Sequence, residues 1–152
     1  MAIPAPIAKM SADEYLAWEG QRQDKNEFIQ GEVYAMVGVT RQRATVAGNL
    51  FVFLKQALRG TPCRAYMADM KLRVEAADAF FYPDVFVTCS EADHAAVQYL
   101  TEPRLIVEVL SDSTEAFDRG AKFEHYRRIP TRPCMPFGME MSGSPAVSWL
   151  RP

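Results

Sequence analysis

The sequence predicts an α/β domain built on a mixed sheet flanked by helices, and three observations carry that reading. "RATVAGNLFVFLKQALRG" sets Val46, Leu50, Phe53, Leu54 and Ala57 at helical spacing. "AFFYPDVFVTC" and "RLIVEVL" are apolar on both faces, as strands at the centre of a sheet are. Along the chain the patterns run helix, hairpin, helix, strand, strand, strand, helix, an interleaving that packs helices against a sheet.

Each element has its own local cause. In "MSADEYLAWEG", Ser11 is an N-cap with Glu14 three residues on, a capping box, and Met10 and Tyr15 form a hydrophobic staple; Gly20 stops the helix. A polar link, "QRQDKN", leads to "EFIQGEVYAMVG", where Gln30-Gly31 between apolar runs predicts an N-terminal β-hairpin. The long helix ends at Gly60. From Cys63 to Val74 the period becomes two, with Met70, Leu72 and Val74 on one face and Lys71 and Arg73 on the other, a half-exposed strand. The two apolar strands follow, separated by a polar loop containing Asp93 and His94, and "STEAFDRGAKFEHYRR" reads as a helix with a basic end. From Pro130 onward the chain holds five of its ten prolines and no periodicity, so residues 131–152 are expected to form an irregular tail behind a domain spanning 1–130.

Composition limits the function classes. With 152 residues, 49% of them hydrophobic, the chain makes one domain with a real core. A net charge of −2 excludes a protein coated in positive charge, although a local basic patch remains compatible with nucleic acid. Cys63, Cys89 and Cys134 are too scattered for a metal knuckle and too few for a disulfide framework, and read as reduced thiols. No stretch reaches the roughly 18 apolar residues of a membrane span, and "MAIPAPIAKM" lacks the apolar core of a secretory signal. A cytoplasmic protein is expected.

The chemistry concentrates in two carboxylates. Asp84 interrupts the first apolar strand, and Glu108 is the only ionisable side chain of "RLIVEVL" beyond Arg104. A buried lone carboxylate costs several kcal/mol unless it neutralises, finds a partner or binds a cation, and two on neighbouring strands would repel. Either has a plainer reading: Asp84 in solvent at a strand end, as Asp after Pro often is, and Glu108 on an edge strand. Together they point to a divalent ion, with Mg2+ (or Mn2+) suiting hard oxygen ligands, the Val109 carbonyl as a further donor, and phosphodiester hydrolysis as the reaction class. Lys122, on the helix after Glu108, supplies the cation such chemistry needs; its plainer role is an i,i+4 surface pair with Asp118.

These stretches, "EFIQGEVYAM", "AGNL", "YPDVFV" and "LIVEVLSDSTEAFDRGAKFEHYRR", resemble the Uma-type family of the PD-(D/E)xK nuclease superfamily over residues 8 to 130. The resemblance implies a restriction-endonuclease-like fold, with Asp84 and Glu108 as metal ligands. Leu110 stands where the superfamily has Lys, which Lys122 would replace from the helix. Glu27 and Glu32 match acidic positions that complete an outer shell or orient water, although Glu32 also reads as surface charge. Asp118 and Tyr126 would support Lys122. Arg43 stands where family members often have His, implying an altered contact on the substrate side. The family continues after "YRRIP" with further sheet, whereas this tail reads as a frame change or truncation that leaves the closing strand missing. An exposed edge of that kind favours homo-oligomers.

The expected activity is a metal-dependent endonuclease acting on DNA. Phosphate contacts would come from Arg41, Arg43, Arg119, Lys122, Arg127, Arg128 and Arg132, although Arg127 and Arg128 also suit a helix C-terminus. The alternative is a catalytically inactive module that keeps the fold to bind nucleic acid or protein, as the absence of the in-line Lys and the aberrant tail would allow.

Overall fold

The structure is a computed structural model that describes residues 5–36, 38–110 and 118–130, and the strand at 146–150, with backbone alone at 118–119 and 146–150. Among the described residues, ten strands form two sheets. The six-stranded sheet has the order β1-β3-β2-β6-β5-β8 and consists of β1 (Ala8–Lys9), β2 (Asn26–Ile29), β3 (Glu32–Ala35), β5 (Lys71–Val74), β6 (Ala79–Phe81) and β8 (Tyr99–Leu100). The four-stranded sheet has the order β10-β9-β7-β4, from β4 (Arg64–Met67), β7 (Val85–Thr88), β9 (Pro103–Val109) and β10 (Ala146–Leu150). Pairing is antiparallel except for β5 with β8 and β9 with β10, so both sheets are mixed.

Local chemistry sets the first elements. Helix α1 (Ala12–Glu19) begins on the expected capping box, with Ser11 and Glu14 each satisfying the other's backbone N–H. The β2–β3 hairpin turns on Gln30-Gly31, both at positive φ (49° and 86°), the conformation that a two-residue hairpin loop demands. Helix α2 (Arg41–Ala57) starts at the N-cap Thr40. Its inward stripe is Arg43, Val46, Ala47, Leu50, Phe51 and Leu54; Phe53, expected inside, is 64% exposed. The spacing of three and four that begins at Arg43 selects Phe51 and leaves Phe53 outside.

Three layers of apolar packing join these parts. Tyr15 of α1 packs with Phe28, Val33 and Phe80 on the outer face of the six-stranded sheet. Ala47 of α2 packs with Val85, Val107 and Val109 on the outer face of the four-stranded sheet. Between the sheets lie Leu72, Phe81, Phe86 and Ile106 together with Tyr126 of the last helix, α4 (Phe123–Tyr126), which continues a π-helical turn at Asp118–Lys122.

Long-range pairing overrides several sequence expectations. The stretch Cys63–Val74 is two strands, β4 and β5, in different sheets, because the chain turns at Ala68 (φ 48°). "AFFYPDVFVTC" is likewise divided: β6 joins one sheet and β7 the other, and Tyr82-Pro83-Asp84 makes the crossing. The polar loop after β7 contains a short helix, α3 (Glu91–Ala95), whose Asp93 carboxylate is buried and accepts from Thr88 Oγ1 (2.8 Å) and from the backbone of Thr101 (2.9 Å) and Glu102 (3.0 Å).

Two further expectations are corrected. Ala146–Leu150, in the tail read as irregular, pairs in parallel with β9, so β9 has a neighbour on the side where a closing strand was expected to be missing. "AVSWL" contains Val and Trp, both favourable in strands. Cys63 and Cys89 are joined as a disulfide and are not free thiols. The register Arg64↔Thr88 places the two cysteines opposite one another as the next pair. Cys134 lies outside the described residues. Among the described residues no helix is long and apolar enough to cross a membrane.

Candidate active site

The site forms where the two sheets meet. Continuing the antiparallel register Val85↔Val107 by one pair sets Asp84 directly opposite Glu108, and Asp84 Oδ2 accepts the Val109 N–H at 2.8 Å. Strand alternation gives Glu108 the same face as Ile106, toward α4, while Leu105, Val107 and Val109 face α2. The crossing segment delivers Asp84, β2 delivers Glu27, the turn before α4 delivers Lys122, and the first turn of α2 delivers Arg43.

These five side chains make an alternating line of charge. Glu27 Oε1 lies 2.8 Å from Lys122 Nζ, which lies 3.7 Å from Glu108 Oε1. Glu108 Oε2 is 3.7 Å from Arg43 Nη2, which is 2.9 Å from Asp84 Oδ2. Arg43 Nε adds contacts of 3.1 and 3.0 Å to the two Asp84 oxygens. Three carboxylates and two cations leave a net −1 in a region where Glu108 is fully buried and Glu27, Arg43 and Lys122 are nearly so. Each charge has an opposite neighbour, which is the condition for burying charge at all.

Hydrogen bonds from outside the line fix its geometry. The Tyr126 hydroxyl donates to Glu108 Oε1 at 2.7 Å, and the Tyr82 N–H donates to Glu27 Oε1 at 3.3 Å. Glu19, buried at the end of α1, accepts from the Asn26 N–H (2.9 Å), from Asn26 Nδ2 (3.1 Å) and from the Tyr82 hydroxyl (3.0 Å). It therefore ties the residue before Glu27 to the segment that carries Asp84. Burial, and then the Glu19 charge, push the Tyr82 phenol far above its ordinary range, so it stays a donor.

Comparison with known proteins gives the chain its family. Residues 12–132 match the family model "Uma2: Putative restriction endonuclease". The chain belongs to the Uma2 family. Two Synechocystis proteins, both named as uncharacterized, are similar to it: slr1290, 39% identical over 83% of this chain and 66% of its own, and sll1609, 35% identical over 86% of this chain and 75% of its own. The Uma2 chain thus spans about two thirds to three quarters of the length of these relatives. A crystal structure of a "putative nuclease belonging to DUF820" from Anabaena variabilis superposes with a TM-score of 0.66 at 16% identity, covering 80% of this chain and 70% of that one. That likeness shows the fold: a mixed sheet flanked by helices, shared with a nuclease-fold neighbour.

Of the residues picked from the Uma2 sequence, Asp84, Glu108, Lys122 and Glu27 come together. Glu32 does not; it pairs with Lys9 (3.0 Å) and Tyr34 (2.7 Å) on the far end of the hairpin. Tyr126 holds Glu108, although it was expected to support Lys122. The side chains of Asp118 and Arg119, and the whole of Arg132, lie outside the described residues. Arg43, expected as a contact on the substrate side, turns inward, 7% exposed, onto the carboxylates. Its signal was its position on the apolar stripe of α2, four residues before Ala47.

The donor set fits a hard divalent cation. Asp84 and Glu108 offer hard oxygen donors of the kind Mg2+ takes, and among the described residues no three His, Cys, Asp or Glu side chains group as metal ligands.

Two predictions arise here. Tyr126→Phe removes the donor to buried Glu108 and is expected to cost about 1.5–3 kcal/mol in urea unfolding, the range for a hydrogen bond to a charged group. His125, beside Phe81, has its pKa held below the ordinary 6.5 by burial and then by Arg128. The unfolded chain therefore binds this proton more readily. The His125 contribution is complete above 6.5 and is lost as pH falls from there toward the folded value. Melting curves between neutral and mildly acidic pH should show a smaller acid loss in His125→Gln than in the wild type.

Proposed function

We propose that this Uma2 chain is a divalent-metal-dependent endonuclease that hydrolyses phosphodiester bonds of DNA, with residues 1–130 as the nuclease-like domain and 131–152 as an added tail. The observation that carries the reading is the convergence of Asp84 and Glu108, from neighbouring strands, on one nitrogen of Arg43 at 2.9 and 3.7 Å. In this reading Asp84 and Glu108 hold Mg2+ or Mn2+. The bound ion would polarise a phosphoryl oxygen and acidify a coordinated water.

The protein's own groups prepare that chemistry. Glu27, 2.8 Å from Lys122 Nζ, holds that cation near Glu108 at 3.7 Å, where it would face the negative charge that builds as a phosphodiester is attacked. Tyr126 fixes the Glu108 carboxylate in one orientation, and the Val109 N–H does the same for Asp84. Exposed Arg41, Arg127 and Arg128 supply cations for a phosphate backbone. The family description supports nucleic acid as the substrate. With β10 paired to β9, the edge that motivated the proposed homo-oligomer lies on β10 and not on β9.

Nicking of supercoiled plasmid by the full chain in Mg2+ or Mn2+, abolished by EDTA and by Asp84→Asn or Glu108→Gln, is the expected result. The Arg43 fork on Asp84 favours one other reading, an inactive module. Plasmid binding that persists in EDTA and in both variants, without nicking under any condition, would establish that alternative.

A further inference from the structure

We propose that Arg43 is the built-in counter-ion of the Asp84–Glu108 pair, and that a divalent cation binds the pair only by displacing its guanidinium. The proposal rests on the reading of Asp84 and Glu108 as metal ligands and adds the condition under which they become available.

The contacts define the competition. Asp84 Oδ2 already takes three donors: Arg43 Nε at 3.0 Å, Arg43 Nη2 at 2.9 Å and the Val109 N–H at 2.8 Å. Asp84 Oδ1 takes Arg43 Nε at 3.1 Å. The same Nη2 is the group of Arg43 that reaches Glu108 Oε2, at 3.7 Å. The place where an ion would touch both carboxylates is therefore the place of Nη2. A guanidinium keeps its charge at any working pH, so protonation cannot remove it and it must move. A metal ion beside it would meet like charge in a poorly screened interior.

The fold holds Arg43 in that position. It sits in the first turn of α2, its N–H accepted by Thr40 Oγ1 at 3.2 Å, and its side chain is 9% exposed. The carboxylate pair is therefore half-neutralised in advance by Arg43, and the apparent affinity for metal scales with the fraction of molecules in which Arg43 has left.

Mn2+ binding to the full-length wild type and to Arg43→Gln, followed by titration calorimetry with circular dichroism to confirm folding, tests this. Arg43→Gln is expected to bind Mn2+ at least about tenfold more tightly, because the competing cation is gone. In the wild type, the Arg43 Nε–H resonance should shift on titration with Mg2+, with the same midpoint as the heat signal; this holds the test even if the variant does not fold. Equal or weaker Mn2+ affinity in a folded Arg43→Gln, or an Nε–H resonance unmoved at saturating Mg2+, overturns displacement and leaves the metal reading standing. Absence of Mn2+ binding in both proteins overturns the two together.

Discussion

Lys122→Met should destabilise the protein by about 3–5 kcal/mol, because it leaves the carboxylates of Glu27 and Glu108 buried with their shared cation removed. The size follows from asymmetry: a paired buried charge is tolerable, and its orphaned partner is not. The methionine fills a similar volume against Phe81, over whose ring Nζ now lies at 5.8 Å, so lost packing adds little. Adding Glu27→Gln to Lys122→Met removes one of the orphaned charges and should recover part of the loss. A double-mutant cycle by urea denaturation checks both statements; a Lys122→Met protein as stable as the wild type would mean that the ion pair is not formed in solution.

Asp84→Asn is expected to act on stability and on cleavage together. The amide retains one oxygen, enough for the Val109 N–H, but it turns a donor toward the Arg43 fork and removes the charge that neutralises it. Breaking a nearly buried pair of this kind costs about 3 kcal/mol. Loss of a partner one shell beyond a metal already lowers activity 10- to 100-fold, so loss of a proposed ligand should lower nicking by more than about 100-fold. The measurement is plasmid nicking at a temperature where melting curves show the variant folded. Retained nicking by folded Asp84→Asn would remove this carboxylate from the chemistry.

The legible parts of the fold were those with local causes. Ser11 and Glu14 are three residues apart and cap a helix wherever it packs; Gln30-Gly31 makes a hairpin from its own backbone preference. Glu108 was visible because five apolar neighbours surround one charge in "RLIVEVL" after its leading Arg. The division of "AFFYPDVFVTC" between two sheets was not visible, since β6 and β7 look alike until their partners, β5 and β2 for one, β4 and β9 for the other, are known. The disulfide was hidden for the same reason, as a sequence separation of 26 between Cys63 and Cys89 says nothing about a register.

By itself, then, the sequence determined the capped helix, the hairpin and the long helix, and marked Asp84 and Glu108 as the carboxylates out of place in apolar strands, because capping, turn chemistry and periodicity are properties of a residue and its near neighbours. Tertiary structure alone decided what those carboxylates touch. Glu27, Arg43, Asp84, Glu108 and Lys122 come from five separate stretches, and only the strand register and the rotation of α2 bring their charges within 4 Å of one another in alternating sign. That pairing is an electrostatic requirement of the folded interior, where low polarity makes each buried charge depend on a partner that no local pattern names.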